Sequence, residues 1–308
     1  MNKGNLLVVD ASFLLHRSLH LELNTTTGEY VGGVYGVLKS LKSILAHAGA
    51  SKAIFVWDGG KSKRRMQIYP GYKASRAIVV DEEAKRRRER YRSQRDILEG
   101  MLPMMGVRSN WIYGKEADDI IGWMVEKYKK EYPKILVVSE DWDYAQLIDK
   151  NVTIHFPIKG LDLSLDNFLE RTGYRFEWHN VYRGVLGDGS DEIDGVPGVG
   201  EVTLKKWVDK ADALGYPPSI ASLMEVCRED KSKRAQTFLD SYDIVSRNIE
   251  LMYMLAEEFT AEEQKQIQLW IDTPCYFTED AAQVMANLEF KSLLQSFSTW
   301  SVPFRNLI

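Results

Sequence analysis

Three short β-rich runs, LLVVD (6–10), AIFVWD (53–58) and KILVVSED (134–141), each close on a carboxylate. Between them lie amphipathic stretches, with Val37, Leu41, Ile44 and Leu45 at helical spacing in 33–49 and Ile120, Ile121, Met124 and Tyr128 in 117–130. Buried strands alternating with helices predict an α/β chain built on a mostly parallel sheet flanked by helices. VTIHFP (152–157) reads as a fourth strand. In open sheets of this kind the ligand crevice lies beyond the carboxyl ends of the strands. Asp10, Asp58 and Asp141 are therefore expected to converge, although 131 residues separate the outer two.

Beyond about residue 170 the β signals thin out and helical patterns dominate, with GVPGVG (195–200) as the sharpest turn. The expected organisation is a core over 1–170 and a mainly helical region over 171–308. Cys227 and Cys275 lack metal-type spacing, so neither a disulfide framework nor a zinc module is indicated. A reducing, cytoplasmic setting is expected. The N-terminal apolar run is too short for a signal peptide, and no stretch approaches the roughly 20 apolar residues of a membrane span, so no membrane partner is expected.

Nine acidic residues recur at turns and strand ends: Asp10, Asp58, Glu116, Asp118, Asp119, Asp141, Asp143, Asp188 and Asp191. Clustered carboxylates repel one another and call for a counter-charge, which hard divalent cations supply through oxygen ligation. Mg²⁺, with Mn²⁺ as a substitute, is the natural occupant. A set this large suits two ions acting on a phosphate. Taken singly, each of the nine reads equally well as a cap, a turn former or a solvated side chain. Asp119 is the weakest, because it can simply support the first turn of its helix. His16 and His20 stand at i and i+4, but Arg17 occupies the place where a zinc-protease motif has glutamate.

The net charge of −4 would by itself argue against a nucleic-acid partner, yet residues 61–95 carry 13 basic side chains against four acidic ones. Tyr69, Tyr72 and Tyr91 are interleaved there, which suits a surface that neutralises phosphates and stacks unpaired bases; a solvated charged face is the plain alternative. Residues 82–95 are polar almost all round and read as solvent-bridging or not stably helical alone. In GVPGVGEVTLKKW, the turn formed by Gly195, Val196, Gly198 and Gly200 precedes Thr203, Lys205 and Lys206. Such a helix start can grip phosphate through its backbone N–H groups, or it can be no more than a tight turn between helices.

The ordered set VVDAS, VWDGGKSKRR, YPGYKASR, GKEADDIIG, VSEDWDYAQL and GDGSDEIDGVPGVGEVTLKKW resembles the 5′ nuclease superfamily of flap endonucleases and 5′-to-3′ exonucleases over residues 6 to about 250. The length is similar to that of a stand-alone phage-type enzyme, with phage RNase H, a remover of RNA primers, as a near relative. The resemblance implies a PIN-like core, a helical arch over 61–100 and a helix-three-turn-helix around 185–210 that binds duplex DNA and, in relatives, a potassium ion. It implies a first metal site of Asp10, Asp58, Glu116 and Asp118 and a second of Asp141, Asp143 and Asp191, with Asp188 beside it and Asp118 a candidate for sharing. Lys73 and Arg76 match basic residues that approach the scissile phosphate, Tyr72 an aromatic on which a nucleotide stacks, and Arg17 a basic position near the incoming strand. The implied partner is branched DNA or RNA–DNA with a 5′ single strand, together with replication proteins such as a single-strand binding protein; a monomer is expected. Where the family reads SDNIPG this chain has SDEIDG, which puts Glu192 and Asp194 at positions that bear on metal affinity or duplex contact. Two rivals remain open: a PIN-type ribonuclease of single-stranded RNA, and a noncatalytic junction-binding protein.

Overall fold

The computed structural model describes residues 4–75 and 81–308. Its main sheet has six strands: β1 (Asn5–Asp10), β2 (Ala50–Val56), β3 (Val107–Asn110), β4 (Ile135–Val138), β5 (Val152–Phe156) and β6 (Leu161–Leu163), in the order β3-β2-β1-β4-β5-β6. All pairings are parallel except the edge hairpin β5–β6. The four strands read from sequence are present. The short strands β3 and β6 were not legible there, because VRSN and LDL are too polar and too brief to carry an apolar pattern.

The helices follow the apolar spacing. They include α1 (Ala11–Ser18), α2 (Gly32–Ala48), α3 (Lys63–Ile68), α4 (Glu82–Met104), α5 (Ala117–Tyr128), α6 (Phe168–Thr172), α7 (His179–Leu186), α8 (Glu201–Ala213), α9 (Ile220–Glu229), α10 (Lys233–Leu239), α11 (Tyr242–Met252) and α12 (Ala261–Asp272), with four short helices after them. One face of the sheet packs with α2 and α4, the other with α5, and this second core runs on without interruption into α7, α8 and α9. Val37, Leu41, Ile44 and Leu45 of α2, and Ile120, Ile121, Met124 and Tyr128 of α5, are all buried as their spacing requires.

The charged stretch 82–95 is not a separate polar segment but the first part of the single helix α4, whose later turns bury Leu98, Met101 and Leu102. Asp81 caps its start through the Ala84 amide at 2.8 Å. Gln94, fully buried, turns its side-chain oxygen to the backbone amides of Gly33 (2.6 Å) and Val34 (3.3 Å). It thereby satisfies the first donors of α2, which has no capping side chain of its own. The C-terminal tail folds back: Trp300, Phe304 and Leu307 are buried in the α2/α4 core, and the Ile308 amide donates to the Ser51 carbonyl at 2.9 Å. Among the described residues no helix is long and apolar enough to cross a membrane.

Candidate metal centre and nucleic-acid groove

Because β4, β1 and β2 are neighbours, their carboxyl ends lie side by side; Asp10 closes β1, and Asp58 and Asp141 come shortly after the ends of β2 and β4. Together with Asp118 and Asp191 they wall a cavity of about 260 Å³, into which Lys73 and Ser139 also project. Each carboxylate is aimed by a local bond. Asp10 caps α1 through the Phe13 amide (3.0 Å) and accepts from the Ser139 hydroxyl (3.2 Å). Asp58 accepts from the Ala117 amide (3.0 Å), and Asp141 from the Asp143 amide (2.8 Å).

The other acidic candidates lie around this cavity, held by two arginines whose importance the sequence did not reveal. Arg65, on α3, is fully buried and spreads its guanidinium over Glu116 (2.6 Å), Asp118 (2.9 Å) and Asp119 (2.8 Å), while its Nε donates to the Leu251 carbonyl (2.8 Å). Arg183, on α7, does the same for Asp143 (2.6 Å) and Asp188 (2.9 Å). Glu116 also accepts from the Tyr72 hydroxyl (2.7 Å) and the Lys73 ammonium (3.0 Å). Asp119 does not line the cavity: it is fully buried against Arg65, its second oxygen without a hydrogen-bond partner, although a carboxylate oxygen of each of Glu116, Asp118 and Asp119 lies within 4.8 Å of the others.

The charges follow from this arrangement. Burial alone would raise Asp118, but Arg65 and Lys73 outweigh it and hold the carboxyl below its usual range. Burial and then Asp118 push Asp119 up to about 9, so of this adjacent pair Asp118 carries the charge. Burial and then Asp58 raise Asp10 to about 7. Burial and Asp143 push Asp141 well above the carboxylate range, and Asp143 reaches about 6 by burial, held back by Arg183. Five carboxylates around one small cavity, two of them reluctant to ionise, form a hard-oxygen donor set that Lys73 and Arg65 offset only in part, and a divalent cation fits it.

A carboxyl that holds its proton more tightly in the folded chain than in the unfolded one destabilises the fold once ionised. For Asp10 and Asp143 that cost begins above the ordinary value of 3.8 and is complete above about 7. Protein stripped of divalent ions is therefore expected to lose stability from these groups as pH rises through that window. A divalent cation should restore it, with a larger rise in melting temperature at about pH 8 than at about pH 5. A melting temperature indifferent to the cation at both pH values would contradict this.

Lys73 and Glu192 both hold backbone conformations with positive φ (50° and 61°), unusual for side chains of their size. The Lys73 amide donates to the Asp191 carbonyl (3.1 Å), and the Glu192 carboxylate accepts from the Ser75 amide (2.9 Å) and hydroxyl (2.6 Å). The SDEIDG departure thus ties the base of the basic segment to the turn that carries Asp191. Hydrogen bonds to a charged acceptor are worth about 1.5–3 kcal/mol. Glu192→Ala should accordingly speed exchange of the Ser75 amide by roughly tenfold or more, read by hydrogen-exchange mass spectrometry; unchanged exchange would rule the tie out. Asp194 is exposed and makes no comparable bridge; its carbonyl accepts from Asn248 (2.8 Å).

A larger groove, about 1,010 Å³, shares Asp58 and His16 with the carboxylate cavity and runs along α4, lined by Arg87, Arg88, Arg92 and Arg95. The aromatic expectation changes here. Tyr72 is buried, with its hydroxyl on Glu116, so it offers no face for stacking. Tyr91 is stacked on His16 at 4.3 Å, and Tyr69 lies under Arg247. The exposed rings lining it are Trp111 and Tyr113, in the loop after β3, with the Arg95 guanidinium 5.8 Å from the Trp111 ring. Their signal was WIY just ahead of KEADD, outside the basic segment.

Of the remaining candidates, Arg76 lies outside the described residues. Arg17 lines a separate cavity with Lys39, not the carboxylate cavity, although His16, its neighbour in the last turn of α1, lines the latter. In the turn before α8, Val196 is buried and its amide is taken by the Val185 carbonyl (2.8 Å), so it is an anchor and not a contact. A side chain on Gly195 would strike the Leu186 carbonyl, which makes it a close-packing position. Gly198 and Gly200 are exposed with open space around them, and Gly198 has φ 75°. Lys206 is exposed, Thr203 is half-buried beside it, and Lys205 pairs with Asp209 at 2.7 Å.

Residues 5–173 match the family model described as the 5′-3′ exonuclease, N-terminal resolvase-like domain. The thermostable DNA polymerase I of Thermus aquaticus is 30% identical over 214 residues, covering 69% of this chain and 24% of that protein. DNA polymerase I of Pseudomonas aeruginosa is 31% identical over 228 residues, covering 73% and 23%. The chain therefore spans about a quarter of the length of these relatives. Among solved structures, the T5 5′-exonuclease with bound zinc superposes with a TM-score of 0.66 at 21% identity, covering 93% of this chain and 98% of that one. Human GEN1 in complex with Holliday junction DNA gives 0.52 at 13%, covering 92% and 71%. At these identities the structures speak to the fold.

Proposed function

Because the chain belongs to the 5′-3′ exonuclease family, we propose that it is a structure-specific 5′ nuclease, cutting phosphodiesters near a junction of duplex and 5′ single strand. The observation that carries this reading is the joining of two features: the five-carboxylate cavity opens beside the arginine-lined groove, through Asp58 and His16. Mg²⁺ bound by Asp10, Asp58, Asp118, Asp141 and Asp191 would activate water and offset charge on the phosphate. Lys73, whose ammonium lies 3.0 Å from Glu116 and 3.4 Å from Asp191, stays protonated at the cavity wall and supplies a fixed positive charge towards the phosphate. Arg87, Arg88, Arg92 and Arg95 neutralise the backbone of the single strand, and Trp111 and Tyr113 give its bases a stacking face. The exposed turn at Gly198 and Gly200, with Lys206, offers the duplex a phosphate contact at the start of α8. In this reading residues 1–170 carry the chemistry and 171–308 hold the duplex.

The test is a panel of end-labelled substrates: a 5′-flap DNA, a nicked duplex, a blunt duplex, an RNA-primed duplex and an unstructured RNA. Mg²⁺-dependent cleavage at the junction in the flap or primed substrates is expected. Cleavage of the unstructured RNA alone would replace this reading with a single-strand ribonuclease.

A further inference from the structure

Outside the carboxylate cavity, His47, His155 and Asp162 bring two imidazoles and a carboxylate together, with one donor atom of each lying within 4.8 Å of the others. The three come from different elements. His47 is in the last turn of α2, just before the left-handed Gly49. His155 is on β5, and Asp162 stands directly opposite it on β6 in the antiparallel ladder, so the backbone register fixes that pair. Asp162 bridges both rings: its Oδ2 is 2.7 Å from His47 Nε2 and its Oδ1 is 2.6 Å from His155 Nδ1. The rings lie 4.9 Å apart, tilted by 36°. Behind them, the Asn167 side chain donates to the Asp162 carbonyl (2.8 Å) and holds the strand in place.

We propose that His47 Nε2, His155 Nδ1 and an oxygen of Asp162 form a second metal site, for a borderline transition ion such as Zn²⁺. Two considerations decide the class of ligand. First, both nitrogens converge on a carboxylate, which repels an anion and which a cation completes. Secondly, two imidazole nitrogens with one oxygen suit Zn²⁺ and its neighbours, whereas Mg²⁺ prefers oxygen throughout, so the site is chemically distinct from the carboxylate cavity. Tetrahedral zinc with bonds of about 2.0–2.1 Å needs donor atoms about 3.3 Å apart. The present contacts, made to different oxygens of Asp162, need to open by less than about 1 Å, with the carboxylate turning to offer one or both oxygens to the ion. His47 is half-exposed, and both rings line a neighbouring cavity of about 470 Å³ together with Arg17 and Lys39, which leaves room for a water as fourth ligand; the ion enters from the exposed side of His47. Three ligands closed by water would pin the end of α2 to the β5–β6 edge.

The test uses the whole chain in excess Mg²⁺, added to compete for the carboxylate cavity. The protein has five histidines, so long-range ¹H–¹⁵N spectra of the imidazoles can follow each during a Zn²⁺ titration. The expected result is that His47 Nε2 and His155 Nδ1 shift together and saturate at one equivalent of Zn²⁺. His155→Gln should abolish the shift at His47 while leaving cleavage intact. Zinc that leaves both rings unshifted in the wild-type chain would overturn the proposal without reliance on any variant.

Discussion

Replacing Arg65 with methionine is expected to destabilise the protein by about 3–5 kcal/mol, the usual consequence of removing one partner from a buried ionic cluster. The guanidinium faces three carboxyl groups, Glu116, Asp118 and Asp119, and is itself almost wholly out of water. Methionine fills much of the volume but leaves the buried charge on Asp118 without its main counter-ion. It also leaves the Leu251 carbonyl without its Arg65 donor. Urea unfolding with and without divalent cation would measure the loss. Lysine at 65 should recover only part of the stability, since a single ammonium cannot reproduce the fork over three carboxylates. An Arg65→Met protein as stable as the parent would mean that the cluster needs no counter-charge.

The second large effect concerns Asp141, at the end of β4 and on the cavity wall. Asp141→Asn keeps the shape and the acceptor for the Asp143 amide but removes a negative charge from the metal-binding set. Loss of an outer partner of a metal ligand alone costs about 10–100-fold in affinity or activity, so loss of a ligand's own charge should lower turnover by at least about 100-fold. Junction binding should persist, because the α4 arginines that contact phosphate do not depend on Asp141. Turnover by gel assay and binding by anisotropy in Ca²⁺ separate the two.

The sequence made the strand ends visible because each apolar run stops at an acidic residue, and a parallel sheet must then gather those residues at one edge. It also placed Asp118 at the start of α5 and Asp191 beside the glycine turn. What it could not show was which charges meet. Nothing in KSKRR distinguishes the buried Arg65 from the neighbouring Arg64, and nothing around Arg183 marks it as the partner of Asp143, since the Arg65–Glu116 and Arg183–Asp143 pairings join residues 51 and 40 positions apart. The aromatic assignment failed for the same reason. Tyr72 sits among basic residues in sequence, but its hydroxyl finds Glu116, 44 residues on, and its ring goes inside. Trp111 and Tyr113 reach the groove from β3, a strand too polar to be recognised. Glu192 looked like a departure from a pattern; only the folded chain shows what its carboxylate holds.

The most direct test of the central claim is cleavage of an end-labelled 5′-flap DNA by wild type and Asp141→Asn, each in Mg²⁺ and in EDTA. The account predicts a product ending near the junction for wild type in Mg²⁺ alone, with the variant bound to DNA but inactive. Equal cleavage in all four reactions, or none in any despite tight binding, would contradict it.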